Sequence, residues 1–132
     1  MNKLRLLLDT HAFLWFVGER EKLASIAFQT ISNPENEVFL SAAVAWEIAI
    51  KYARGKVTLP LDPAAYVLSR MLSTGIGALP ITHEHALATA KLPPIHGDPF
   101  DRIMIAQAQV ESLIFVTRDA NNLRYPVQTL LA

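Results

Sequence analysis

The sequence predicts an α/β protein, a three-layer α/β/α sandwich built around a mainly parallel central sheet. Three observations predict it. Short apolar runs of strand length alternate with longer helical stretches from one end of the chain to the other. The helical stretches open on capping residues and close on glycine or proline. The 132 residues, 52% of them apolar, suffice for one core and fit a single domain over 1–132. Right-handed crossovers between successive parallel strands would leave every strand's carboxyl end on one edge of the sheet.

The first apolar run, 4–8, stops at the polar cluster Asp9-Thr10-His11 and reads as a buried strand. A helical stretch over 12–16 follows, Gly18 interrupts it, and a second amphipathic segment over 21–31 ends before Asn33-Pro34. Residues 38–40 give a second strand. Ser41 is suited to cap a long helix over 42–54, with Gly55 where helices often terminate. Asp62-Pro63, an acid at the cap and proline at the first helical position, opens a helix to about 73, ahead of Gly75 and Gly77. Residues 78–81 form a short strand. Thr82 caps a helix to 91, which Pro93-Pro94 closes. Asp98-Pro99 repeats the cap-and-proline start for a helix over 100–111, followed by a strand over 113–116 and an edge strand over 127–131.

Twelve basic and twelve acidic residues cancel, which argues against a protein that clamps nucleic acid by net charge alone. It leaves room for one that meets phosphate through a bound cation. The absence of cysteine excludes disulfides, thiolate metal sites and cysteine nucleophiles, so any metal must be held by oxygen or imidazole. No apolar run approaches the length of a membrane span, and Met1-Asn2-Lys3 leads into a segment too short for a secretory signal, so a soluble cytoplasmic protein is the expectation.

Four acids stand out, and each has an ordinary explanation. Asp9, just past a strand, could simply cap the next helix. Glu47 lies among apolar residues in a helix, with Lys51 one turn on as an ion-pair partner. An exposed pair of that kind is worth only about 0.3–0.5 kcal/mol and does not account for an acid there. Asp98 looks like a helix cap, and Asp101 sits at the third helical position, where the helix dipole favours it. Asp119 could cap a turn through Asn121 and Asn122. Asp9 and Asp119 should converge if their strands are neighbours where strand order reverses. Carboxylates gathered a few ångströms apart repel by about 4 kcal/mol per pair at an effective dielectric of about 20, so such a cluster calls for a cation, Mg²⁺ or Mn²⁺ by the hardness of its ligands.

Arg102 and Arg118 adjoin these acids and suit either phosphate binding or neutralisation of the cluster. His83 and His85 point apart on a helix, and His11 and His96 lie near acids without a ligand pattern, so zinc chemistry is disfavoured. Phe13, Trp15, Phe16 and Trp46 read as core or dimer contact in preference to base-stacking platforms.

The chain resembles the PIN-domain ribonucleases, and within them the VapC-like toxins of toxin-antitoxin pairs. The resemblance rests on Leu6-Leu7-Leu8-Asp9-Thr10-His11-Ala12-Phe13-Leu14-Trp15, on Ser41 through Trp46-Glu47-Ile48 with Lys51, on His96-Gly97-Asp98-Pro99-Phe100-Asp101-Arg102, and on Thr117-Arg118-Asp119. It implies that Asp9, Glu47, Asp101 and Asp119 form an acidic quartet that binds Mg²⁺ or Mn²⁺, Glu47 through water, with Asp98 as a fifth acid. Thr10 and Thr117 are then hydroxyls that orient a ligand or water. It further implies endonucleolytic hydrolysis of RNA by an activated water, a small cognate antitoxin as partner, and a homodimer. Two other functions compete with this one: a PIN-like module that binds RNA or protein without cutting, and phosphotransfer through an aspartyl-phosphate on Asp9. The second is weakened by His11, which stands where a haloacid-dehalogenase-like enzyme would carry another Asp.

Overall fold

Leu6, Leu7 and Leu8 are all fully buried, so successive side chains on both faces of the first strand meet protein. That burial pattern requires a sheet covered on both sides, as in parallel α/β architectures. The computed structural model, which describes residues 3–132, has this form. Of the N-terminal residues read above, Met1 and Asn2 lie outside the described residues.

The five strands are β1 (Arg5–Leu8), β2 (Glu37–Ser41), β3 (Gly77–Leu79), β4 (Ile114–Thr117) and β5 (Thr129–Leu131). They run in the order β3-β2-β1-β4-β5, and every pairing is parallel. Strand order reverses between β1 and β4, which pair Leu8 with Val116. The helices are α1 (Thr10–Gly18), α2 (Ser25–Ser32), α3 (Ala42–Ala53), α4 (Pro63–Thr74), α5 (His83–Ala88) and α6 (Pro99–Glu111). Among the described residues no helix is long and apolar enough to cross a membrane.

The caps explain most boundaries. Ser41 Oγ accepts from the Ala43 amide, Asp62 Oδ1 from Ala65, and Thr82 Oγ1 from His85. Gly75 closes α4 in the left-handed region at φ 75°, where a side chain would be strained. The expected helix over 21–31 is instead broken. A 3-10 turn over Arg20–Lys22 gives way to extended backbone at Leu23 and Ala24 before α2 begins, and that extension leaves the Leu23 side chain buried in the core. The expected helix to 91 also tightens, from α5 into a 3-10 turn over Thr89–Lys91.

The core gathers Phe13 and Phe16 of α1, Val44 and Ile48 of α3, Met104 and Ile105 of α6, and the strand residues Leu6, Leu7, Leu8, Phe115 and Val116. Burying each of these large side chains is worth about 1.5–3 kcal/mol, so the sheet and these three helices form one body that fixes the strand ends.

Candidate active site

Asp9 leaves the end of β1 with its amide still in the sheet, donating to the Val116 carbonyl of β4 at 3.1 Å. Its Oδ1 accepts from the Ala12 amide at 2.8 Å and caps α1. The cap explanation is therefore correct, and it does not exhaust the residue, because the carboxylate also lines a cavity. Thr117, the last residue of β4, is fully buried and accepts from the Asn122 amide group and the Asp119 backbone N–H, both at 3.2 Å. Its own proton is left to bond Asp9. Asp119 caps the following turn, accepting from Asn121 N at 2.8 Å and Asn122 N at 3.3 Å.

Glu47 is delivered from α3 and is buried. Its Oε1 accepts a 2.6 Å bond from the Thr10 hydroxyl, and its Oε2 pairs with Lys51 Nζ at 2.7 Å. The i,i+4 partner read from the sequence is present, joined by a hydroxyl from α1 that spacing could not reveal.

At the start of α6, Asp98 Oδ1 accepts from Phe100 N and Asp101 N at 2.8 and 3.2 Å, so Asp98 is the cap. His96 precedes it. Its Nδ1 accepts from the Asp98 amide at 3.1 Å, so the neutral ring carries its proton on Nε2 and donates to Asn122 Oδ1 at 2.7 Å. The same Nε2 lies 3.6 Å from Asp101 Oδ2.

These elements enclose one open cavity of about 310 Å³ lined by Asp9, Glu47, Asp98, Asp101 and Asp119, with Thr10, His11, Trp15, Lys51 and Arg118 completing its wall. Burial and neighbouring charge act together on two of its carboxyl groups. Burial pushes the Asp9 carboxyl up, against the hydrogen bonds from Thr117 and Ala12, and the Glu47 charge adds to the rise. Burial, then the Asp98 charge, pushes Asp101 up to about 7.

No three His, Asp or Glu side chains among the described residues are gathered tightly enough to hold a metal ion unaided. The donor set nevertheless fits one kind of ion. Mg²⁺ keeps several waters and takes only one or two protein carboxylates directly, and five carboxylates against two cations on this wall offer it hard oxygen donors and an excess of acidic groups.

Other expected site residues are placed differently. Arg102 points away from the cavity, its guanidinium bonding the carbonyls of Pro93 and Thr89 and the Tyr125 hydroxyl at 3.0–3.2 Å. It pins the loop between α5 and α6. Arg118 lines the cavity, but it donates to Ala132 O at 2.8 Å and Lys22 O at 2.6 Å and stacks 4.7 Å from the Trp15 ring. Phe13 and Phe16 are core, whereas Trp46 is 62% exposed and meets Phe100 edge-on.

His96 and Asn122 were missed as site residues. The turn from Asp119 through Asn121 and Asn122 is legible in the sequence, but nothing local indicates that Asn122 is buried against His96.

A doubly wound parallel sheet with an acidic cavity at its switch point defines an α/β protein with its chemistry at the strand carboxyl ends. Residues 6–127 match the family described as PIN domain, and the chain belongs to that family. It is similar to Ribonuclease VapC22 of Mycobacterium tuberculosis, 28% identical over 115 residues that cover 86% of this chain and 85% of the relative. It is also similar to Ribonuclease VapC16 of the same organism, 44% identical over 55 residues that cover 42% of this chain and 39% of that relative. The latter match therefore spans well under half of VapC16.

Among solved structures, VapBC2 from Rickettsia felis bound to a DNA fragment from their promoter aligns with a TM-score of 0.71 at 13% identity, covering 96% of this chain and 98% of that chain. FitAcB from Neisseria gonorrhoeae aligns at 0.63 and 22% identity, covering 96% of both chains. At such identities the likeness establishes the fold.

Proposed function

We propose that this protein is a VapC-type endoribonuclease, the toxin of a toxin-antitoxin pair, that hydrolyses RNA phosphodiesters with Mg²⁺ or Mn²⁺. The observation that carries the reading is the single cavity lined by Asp9, Glu47, Asp98, Asp101 and Asp119 at the switch point between β1 and β4. The names of its relatives, both ribonucleases, support it. A divalent cation held there would supply positive charge to the phosphate and acidify water.

Asp9, Asp101 and Asp119 are the residues to hold that ion. Asp98 lends charge from its cap position. Glu47, paired with Lys51 and aimed by Thr10, is suited to accept a hydrogen bond from an ordered water. Thr117 hydrogen-bonds Asp9, while Arg118 is the cation on the cavity wall closest in kind to a phosphate ligand.

The reading carries with it a cytoplasmic location and a small antitoxin partner, since several solved relatives in fold are toxin-antitoxin complexes. It also carries a homodimer, for which the exposed Leu68 and Leu72 of α4 offer apolar surface.

The test is cleavage of single-stranded RNA by the purified protein. Cutting is expected with Mg²⁺ or Mn²⁺ and none with EDTA or in Asp9→Asn. Retained cutting in either control sinks the metal mechanism.

A further inference from the structure

A second cavity, of about 240 Å³, adjoins the acidic one and shares Thr10, His11, Trp15 and Lys51 with it. The rest of its wall is Leu14, Glu19, Lys22, Ile48, Lys56 and Val57. The two chambers have opposite character. In the first, five carboxylates face two cations; in the second, three lysines face one carboxylate. A chain with no net charge has thus separated its charges across a shared wall, and the aromatic residues Trp15 and His11 stand on that wall.

Trp15 is only half-buried. Arg118 holds its ring from 4.7 Å, and the exposed His11 ring leans on it at 5.6 Å and 35°. Lys22 is paired with Glu19 at 2.8 Å and Lys51 with Glu47, while Lys56 joins none of the ion pairs among the described residues. A partly exposed indole beside a free ammonium group combines the stacking platform and the cationic groove by which proteins hold single-stranded nucleic acid.

We propose that the basic chamber is a subsite for the nucleotide next to the scissile phosphate, its base on the Trp15–His11 surface and its phosphate toward Lys56. The subsite rests on the ribonuclease reading for the identity of its ligand. An RNA strand with one phosphate at the acidic cavity has to continue across an adjoining surface, and this chamber opens onto the same wall with complementary charge. Stacking needs an unpaired base, so the geometry selects single-stranded RNA over duplex.

The experiment uses the full chain in an Asp9→Asn, Trp46→Phe background with Mg²⁺ present, so that Trp15 is the remaining tryptophan and substrate is not consumed. The probe is a short oligouridylate with a 5′ fluorescein, whose anisotropy gives the affinity of every variant. Its binding should quench Trp15 fluorescence. Trp15→Leu should weaken affinity about tenfold by loss of stacking, with Trp15→Phe restoring most of it. Lys56→Gln should weaken affinity and lower the slope of log affinity against log salt by about 0.7.

Unquenched Trp15 with unchanged affinity in Trp15→Leu and Lys56→Gln would overturn the subsite, even if the wild-type protein cuts RNA. If the wild type does not cut but the oligonucleotide still binds through Trp15 and Lys56, the subsite stands and the hydrolytic reading falls. Loss of an acidic peptide's binding in these variants, with RNA affinity unchanged, would assign the chamber to a protein partner and also overturn the proposal. Circular dichroism melts matching the parent exclude misfolding as the cause of any loss.

Discussion

The Thr10 hydroxyl donates to Glu47 Oε1 across 2.6 Å, and through this bond the first residue of α1 fixes the acid presented by α3. Both residues are buried, and Lys51 occupies the other carboxylate oxygen at 2.7 Å. The acid therefore has one orientation.

Thr10→Val keeps the shape and removes the donor. A buried hydrogen bond to a charged group is worth about 1.5–3 kcal/mol, so urea unfolding should show a loss of that order. Cleavage should fall about tenfold or more, and Thr10→Ser should recover both properties. Unchanged kcat in Thr10→Val would mean that the orientation of Glu47 does not matter to the reaction.

Asp9 separates its two uses by substitution. Asn at this position still accepts from the Ala12 amide, so Asp9→Asn should keep the cap and unfold at a urea midpoint no lower than wild type. Asp9→Ala removes the cap, at a cost of about 1 kcal/mol. Both should be inactive; the difference between them is read in the unfolding midpoint alone.

Asp101, raised from 3.8 to about 7, makes stability depend on pH in a direction that can be worked out. Between those two values the folded state holds a proton that the unfolded state has released. Stability therefore falls as pH rises from about 4 to about 7 and levels off above that, where Asp101 is ionised in both states. The raised Asp9 pKa acts in the same sense. The melting temperature in EDTA should be lower at pH 8 than at pH 5, and Asp101→Asn should flatten the difference. Mg²⁺ should raise it more at pH 8 than at pH 5, because only the ionised cavity attracts the ion.

Asn122 is fully buried, accepts from His96 Nε2 and donates to Thr117 Oγ1. Asn122→Ala leaves the His96 Nε2–H without its acceptor, at a cost of about 1–3 kcal/mol, and removes one of the two donors to Thr117 Oγ1. Chemical unfolding should show that loss. Cleavage should fall as well, since Thr117 and the Asp119 turn lose a common brace; a variant that is destabilised yet fully active would separate the brace from the site.

Much of this architecture was legible because its signals are local. Ser41, Asp62-Pro63, Thr82 and Asp98-Pro99 mark helix starts by capping chemistry, which needs only neighbours in sequence, and all four cap helices in the structure. The meeting of Asp9 with Asp119 was legible only as a condition, because strand order is not a local property, and the pairing of β1 with β4 meets it. The break at Leu23 was hidden because periodicity over 21–31 fits a helix; burial of Leu23 in the core competes with that periodicity and prevails.

Arg102 was misjudged for a related reason. Adjacency to Asp101 in sequence turns it about 100° away on the helix, toward the carbonyls of the preceding loop. His96 and Asn122, 26 residues apart, meet through tertiary packing that no local pattern encodes.

Asp9, Asp98 and Asp119 each spend one oxygen on the backbone amides that follow them, at distances of 2.8–3.3 Å. Their rotamers are consequently set by main-chain geometry, and folding itself brings the carboxylates into place. A cation bound as proposed would meet a wall already assembled against electrostatic resistance, so its capture would require little rearrangement and its departure would leave the wall standing.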